Sequence, residues 1–284
     1  MFAMQHTYYY RKFIRYVFLF IAITLGVWIF RGHKQPIAAP RDFAAIKASG
    51  VLRVAVEYNK LNFFVDSNGI AGFNYEIVKA FARDMKLKLN IRPVMSETER
   101  LEALRKDTVD LLACNLPSTT ELKDSLLLSS PITLNKQVLI QRKRGIGKAP
   151  YIKSQLDLAR KTLNVPQNSP AILRIQNLSN EIGDTIYIKE IKQYSSEQLM
   201  YMVEYGDIDY AVCDENIAKQ YAPHLPHIDM QMAISFTQFY SWGMSKHSPQ
   251  LLRQFNLWIE QFKKTAEYKH ICKKYVENLN LKQK

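Results

Sequence analysis

The strongest constraint on how this chain folds is a series of strand-like and helix-period segments that occurs twice. In the first series, residues 51–56 (VLRVAV), 87–92 (LKLNIR) and 108–114 (TVDLLAC) are short apolar or β-branched runs. Between them the spacing predicts a helix over 75–85, where Ile77, Val78, Phe81 and Met85 recur behind a capping Asn74, and another over 97–106. Strand, helix, strand, helix, strand implies a parallel sheet with crossover helices. The second series has strands expected at 136–142, 162–165, 185–190 and 208–213, with helices at 169–178 and 195–205. Residues 248–279 form an amphipathic helical pair that turns Leu251, Phe255, Trp258, Phe262, Ile271 and Tyr275 inward, with a break near Thr265. The fold class is therefore α/β, with two units joined by no long linker.

The N-terminus is a separate matter. Residues 16–30 (YVFLFIAITLGVWIF) carry no charge and follow Arg11, Lys12 and Arg15, the layout of an export signal. Counted from Phe13, with Arg15 snorkelling, the same run approaches the length of a spanning helix. Residues 1–40 are expected to be a signal peptide or a membrane anchor plus linker, and the two alternatives stay open. Either places the remainder in the periplasm, and an uncleaved segment at 13–30 makes the inner membrane a partner.

Apolar content of 47% excludes disorder as the default. Residues 41–284 hold 34 Lys and Arg against 26 Asp and Glu, a dispersed balance of +8. No basic block is interleaved with aromatics, so nucleic acid is not an expected partner. Cys114, Cys213 and Cys272 fit no metal or CxxC spacing. Cys114 and Cys213 end strand-like runs and read as buried thiols, a disulfide between them being the alternative. His224 and His227 alone do not make a metal site, and no cofactor motif is present.

Ligands of open parallel sheets bind beyond the carboxyl ends of the strands. Residues 115–120, 167–170 and 214–216 lie at such ends, and two units facing each other there make a cleft.

Several motifs in order then resemble a known family. They are Leu52-Arg53-Val54, Asn68-Gly69-x-x-Gly72-Phe73-Asn74-x-Glu76, Asp110-Leu111-Leu112 and Ser129-Ser130-Pro131, followed by Gly206-x-Ile208-Asp209-Tyr210-Ala211-x-x-Asp214. Together they resemble the solute-binding proteins of family 3, the periplasmic polar amino-acid binders. Ser248-Pro249-x-Leu251-Leu252-x-x-Phe255-Asn256 and Lys274-Tyr275 are similar to the sensor-like N-terminal module of membrane-bound lytic transglycosylase F. The likeness spans about residues 46–279.

The resemblance implies a two-lobed clamshell of type II, with lobe 1 at 43–137 and 234–284 and lobe 2 at 138–233. It also implies hinges near 136–139 and 233–236. Members of the family hold a ligand carboxylate with an arginine on the short helix after the third strand. That position here is Leu122, which cannot make a charge-assisted bond. The resemblance places Asp214 opposite a ligand ammonium, with a helix cap as its alternative role, and makes Glu57 the matching acid. Residues 167–170, with Asn168 and Ser169, form a polar cradle or a plain helix cap. Phe63 and Phe64 are candidate walls, one of them serving the core, and Asn115 and Ser118 offer polar contacts.

The expected function is an extracytoplasmic solute-binding module for transport or sensing, closing on a small polar ligand: an amino acid, a peptide or a cell-wall fragment. A cationic, neutral or amine-bearing ligand suits a site that keeps its acids and lacks its base. An ABC importer or a cell-wall enzyme is the implied partner. The alternatives are a tethered regulatory module of cell-wall turnover with a degenerate pocket, and a cleft-based lyase or dehydratase. No nucleophile elbow or metal signature is present. A transglycosylase catalytic domain would follow the module, and the chain stops at Lys284, so no enzyme is expected.

Overall fold

The computed structural model describes residues 41–277 of the chain. Helix α1 (Phe43–Ser49) begins at Asp42, whose carboxylate accepts from Phe43 N at 2.7 Å. The same carboxylate accepts from Leu251 N at 2.8 Å and Gln250 N at 3.1 Å, so it also satisfies the start of the helix Pro249–Phe262. Strand β1 (Val51–Val56) follows, then the hairpin β2 (Phe64–Asp66) and β3 (Gly69–Ala71), closed by a turn at Ser67 and Asn68.

Helix α2 (Phe73–Asp84) starts two residues before its sequence-based estimate, with Gly72 as N-cap. Asn74 is therefore inside the helix and does not cap it. Its side chain is buried, donating to Asn62 Oδ1 at 3.0 Å and accepting from Trp242 Nε1 at 3.3 Å. Strand β4 (Lys88–Pro93), helix α3 (Glu97–Arg105) and strand β5 (Leu111–Pro117) complete the first expected series. The short helix α4 (Thr120–Ser125) and strands β6 (Leu127–Leu128) and β7 (Thr133–Asn135) come next.

The second series runs β8 (Gln137–Arg142), β9 (Thr162–Pro166), α5 (Ala171–Ile182), β10 (Tyr187–Ile191), α6 (Ser196–Tyr205), β11 (Tyr210–Asp214), α7 (Glu215–Tyr221) and β12 (Ile228–Asp229). Strand β13 (Gln238–Met244) and helices α8 (Pro249–Phe262) and α9 (Ala266–Cys272) finish the described chain, with the break between the last two helices at the predicted Thr265.

Two main sheets result. One has the order β4-β1-β5-β13-β6, with β7 also paired to β13, and the other has the order β10-β9-β11-β8-β12. The parallel expectation holds for β1 with β4 and β5, and for β9 with β10 and β11. It fails where the chain passes from one sheet to the other, because β8 pairs β11 and β13 pairs β5 antiparallel. Both sheets are thus mixed. The two passages, at residue 136 and at 230–237, lie side by side, since Gln137 N donates to Ser235 Oγ at 2.9 Å and Ile234 N to Gln137 O at 2.8 Å. This is an α/β two-lobe fold.

Trp242 anchors the core beneath the first sheet, fully buried and stacked on Phe255 at 5.1 Å, with Phe81 edge-on to the same ring at 5.1 Å. Cys114 and Cys213 are buried thiols. Among the described residues no helix is long and apolar enough to cross a membrane. The expected signal or anchor at residues 1–40 lies outside them.

Candidate functional site

A cavity of about 280 Å³ lies at the strand ends of both sheets. The first sheet contributes Glu57, directly after β1, Asn115 and Leu116 from β5, and Tyr240 from β13. The second contributes Gln137 at the start of β8, Pro166 and Gln167 at the end of β9, and Val212, Cys213 and Asp214 at the end of β11. The first turns of α3, α5 and α6 enter it through Ser96 and Glu97, through Pro170 and Ala171, and through Ser195 and Ser196.

Of the residues expected from sequence, Glu57, Asn115, Ser169 and Asp214 line this cavity. Asp214 occupies the N-cap position of α7 without making a side-chain cap bond. Its Oδ1 instead accepts from the Tyr240 hydroxyl at 2.9 Å, which joins the end of the second sheet to the first. Glu57 Oε2 accepts from Asn62 Nδ2 at 3.4 Å, leaving most of its acceptor capacity open. Ser169 Oγ accepts from Ala171 N at 3.3 Å and so serves the start of α5.

Four expected residues are elsewhere. Phe63 is buried in the core, edge-on to Tyr75 at 5.9 Å, and Phe64 packs half-buried on the same cluster, so neither is a cavity wall. Ser118 Oγ faces Ser241 Oγ at 3.4 Å, outside the cavity lining. Asn168, at a φ of 58°, sends Nδ2 to Thr98 Oγ1 on α3 while its N–H donates to Glu190 Oε2 at 2.8 Å.

The electrostatics come mainly from residues that the sequence reading passed over. Glu97, Glu99 and Arg100, all from α3, join Glu57 and Asp214 in the lining, and Arg100 is the single Lys or Arg among the lining residues. Burial pushes Glu97 up to about 7, with Arg100 opposing the shift and Glu57 and Asp214 adding to it. Burial likewise raises Asp214 to about 7, against the Tyr240 hydrogen bond and with Glu57 reinforcing it. Burial also raises the Cys114 thiol to about 12, so it carries no thiolate near neutral pH. Leu122 packs half-buried on the apolar cluster of Leu116 and Leu126 and does not reach the cavity. The arrangement sets several carboxylates around a single guanidinium and can neutralise a cation. A signal for the α3 residues existed in the sequence, since Glu97 and Arg100 are one turn apart on one helix face.

The sequence profile of the bacterial extracellular solute-binding proteins, family 3, matches residues 52–278. A membrane-bound lytic murein transglycosylase F of Shewanella sediminis is 26% identical over 225 residues, which is 79% of this chain and 46% of that protein. The chain thus spans about half the length of the curated relatives it matches. An ancestral arginine-binding protein bound to arginine has a similar structure, with a TM-score of 0.69 at 24% identity, covering 80% of this chain and 98% of that one. The ancestral amino acid-binding protein AncCDT-1, a precursor of cyclohexadienyl dehydratase, has a TM-score of 0.70 at 22% identity, covering 82% and 98%. At these identities the structural likeness speaks for the fold alone.

Proposed function

The chain belongs to the bacterial extracellular solute-binding proteins, family 3, and on that premise we propose that it is a non-catalytic module that closes on a small polar ligand outside the inner membrane. The observation that carries this reading is the composition of the cavity. Glu57 and Asp214 at strand ends of the two sheets and Glu97 at the start of α3 bring half-buried acids to one cavity, and burial raises Asp214 and Glu97 to about 7. Such acids favour an ammonium or another hydrogen-bond-donating cation. The ligand class is an amino acid, a peptide or a cell-wall fragment.

Closure is a hinge motion between lobe 1, at 43–137 and 234–284, and lobe 2, at 138–233. The adjacent passages of the chain are the hinge. Contacts across the cleft are those a closed form makes: Lys60 N donates to the Tyr221 hydroxyl at 3.2 Å, Asn168 reaches Thr98, and Tyr240 holds Asp214. A ligand touching both lobes shifts the population toward this form by its differential affinity. Transport through an importer and sensing by a tethered module both use that motion. N-terminal sequencing of the mature protein separates them, because a cleaved leader frees a carrier whereas a retained one tethers a sensor.

The test is thermal melting of the purified chain against amino acids, dipeptides, polyamines and soluble muropeptides. A ligand at 100 times its dissociation constant adds about 2.7 kcal/mol, seen as a rise in Tm. A shift with one class that Asp214→Asn abolishes supports the reading, and a flat response across the panel overturns it. The names of the curated relatives favour a second reading, a regulatory module of cell-wall turnover, for which the muropeptides alone would shift Tm.

A further inference from the structure

A second cavity, of about 390 Å³, lies at the opposite end of the second sheet from the cleft. Strand β8 starts in the cleft at Gln137 and ends here at Gln141 and Arg142, while β11 starts here at Tyr210 and ends in the cleft at Asp214. The two cavities share no lining residue. The loop at 143–153 (KRGIGKAPYIK) supplies most of the remaining wall. Arg142, Lys143, Arg144 and Lys153 line this space against one acid, Asp209, and that acid is already taken, since Arg142 Nη2 donates to its Oδ1 at 2.7 Å. Asp229, beside the cavity, accepts from the Tyr151 hydroxyl. Lys143, Arg144 and Lys153 form no ion pair among the described residues.

A run of exposed cations is ordinarily a solvated face. Arg142 is not of that kind, because only 11% of its side chain is exposed. Its Nη1 donates to Val203 O at 3.0 Å and Ile208 O at 3.1 Å, which together with Asp209 fixes the guanidinium. Its Nε–H has no partner among the described residues and keeps access to solvent. Gly147 lies against it, since a Cβ there would come 2.5 Å from Nε. Of the backbone N–H groups at 144–149, only that of Ile146 is bonded among the described residues, to Lys143 O at 3.1 Å. A fixed guanidinium N–H, three unpaired cations and spare loop amides thus border one concave space. A phosphate, whose oxygens accept from several directions at once, matches such a donor set better than a planar carboxylate does.

We propose that this cavity is a second binding site, separate from the cleft, and that it takes a phosphate-bearing ligand. The phosphate rests against Arg142 Nε beside Gly147, with Lys143, Arg144 and Lys153 around it. A soluble phosphate and a lipid headgroup present the same group, and Ile146, half-exposed between Gly145 and Gly147, gives the second an apolar neighbour. The site needs no closure of the cleft, because its wall is built from the second sheet and the segments that adjoin it.

Inorganic phosphate and dihexanoyl phosphatidylglycerol, the latter below its micellar concentration, are the probes, titrated calorimetrically into the full chain at an ionic strength held constant with chloride. The expected result is a saturable one-to-one heat with at least one of them. Tighter binding of inorganic phosphate makes the ligand a soluble phosphate, and tighter binding of phosphatidylglycerol makes it a headgroup. Gly147→Ala changes no charge but presses a methyl onto Arg142 Nε, and Arg144→Gln with Lys153→Gln removes two of the flanking cations. Each should weaken binding about tenfold, the worth of one charge-assisted contact. Lys269→Gln, which removes an exposed cation on α9 outside the cavity, should leave the affinity within about twofold. A loss as large in Lys269→Gln as in the cavity variants is diffuse attraction to a basic surface and overturns the site. So does binding that both cavity variants leave unchanged, or no saturable heat with either probe up to millimolar concentration. Should Gly147→Ala fail to fold, the pair of exposed substitutions at Arg144 and Lys153 decides alone.

Discussion

Asp110 has no exposed side-chain surface, yet it is an acid. It is held by Arg41 Nε at 2.9 Å, by Arg53 Nη2 at 2.6 Å and by the Arg53 N–H at 2.9 Å. Because Arg41 also donates to Val51 O at 2.7 Å, this carboxylate ties the start of the described chain to β1 and to the entry of β5. Removing the carboxylate leaves two partly exposed arginines and the Arg53 N–H without their acceptor. Asp110→Ala should therefore lower stability by about 1–3 kcal/mol in urea denaturation. The Asp-Leu-Leu motif that contributed to the family resemblance thus has a structural meaning of its own. Asp214 is the opposite case. Its carboxylate was legible as a strand-end acid, but its preference for the Tyr240 hydroxyl over the helix it caps was not, because Tyr240 arrives from a distant strand.

At the scale of elements, the turn into α2 shows what a single glycine permits. Gly72 has a φ of 133°, and a Cβ there would lie 2.4 Å from the backbone oxygen of Asn62. Gly72→Ala is strained both in backbone and in space, and it should cost well over 1 kcal/mol; the same change at Gly183, where a Cβ would meet nothing within 4 Å, should cost less. Denaturation midpoints of the two variants make the comparison. Most helices and parallel strands were legible because periodicity and capping are local. Strand β13 was not, since QFYSWGM has no clear alternation and mixes Gln, Ser and Gly with aromatics. Its place between β5 and β6 is decided by Trp242 entering the core and by Gly243, where a Cβ would lie 2.8 Å from Leu116 Cδ1. The α3 residues Glu97 and Arg100 looked like an ordinary solvated helix face. They matter because the start of α3 opens on the cleft rather than on solvent.

For the whole molecule, the cavity acids make stability depend on pH with a definite sign. Asp214 and Glu97 are raised to about 7 from ordinary values near 4, so between those limits the folded chain holds protons that the unfolded chain releases. Their contribution therefore favours the fold at low pH and declines as pH rises from about 4 to about 7. Urea midpoints without ligand should fall across that window, and Asp214→Asn with Glu97→Gln should flatten the fall. A cationic ligand reverses the preference because it binds the ionised acids. Its affinity should weaken below pH 7, by up to about tenfold per unit for each proton displaced. Calorimetry at pH 5.5 and 8 in buffers of different ionisation enthalpy reads that proton directly.

The sequence by itself determined the alternation of strands and helices, the strand-end loops that line the cavity, and the acids Glu57 and Asp214 at those ends. Each follows from local spacing and from the chemistry of single side chains. Only the tertiary structure decided that the sheets are mixed, that Phe63 and Phe64 belong to the core, and that Arg100 enters the cavity while Leu122 leaves it. Those outcomes depend on which segments far apart in the chain come to share buried space, and no local pattern encodes that.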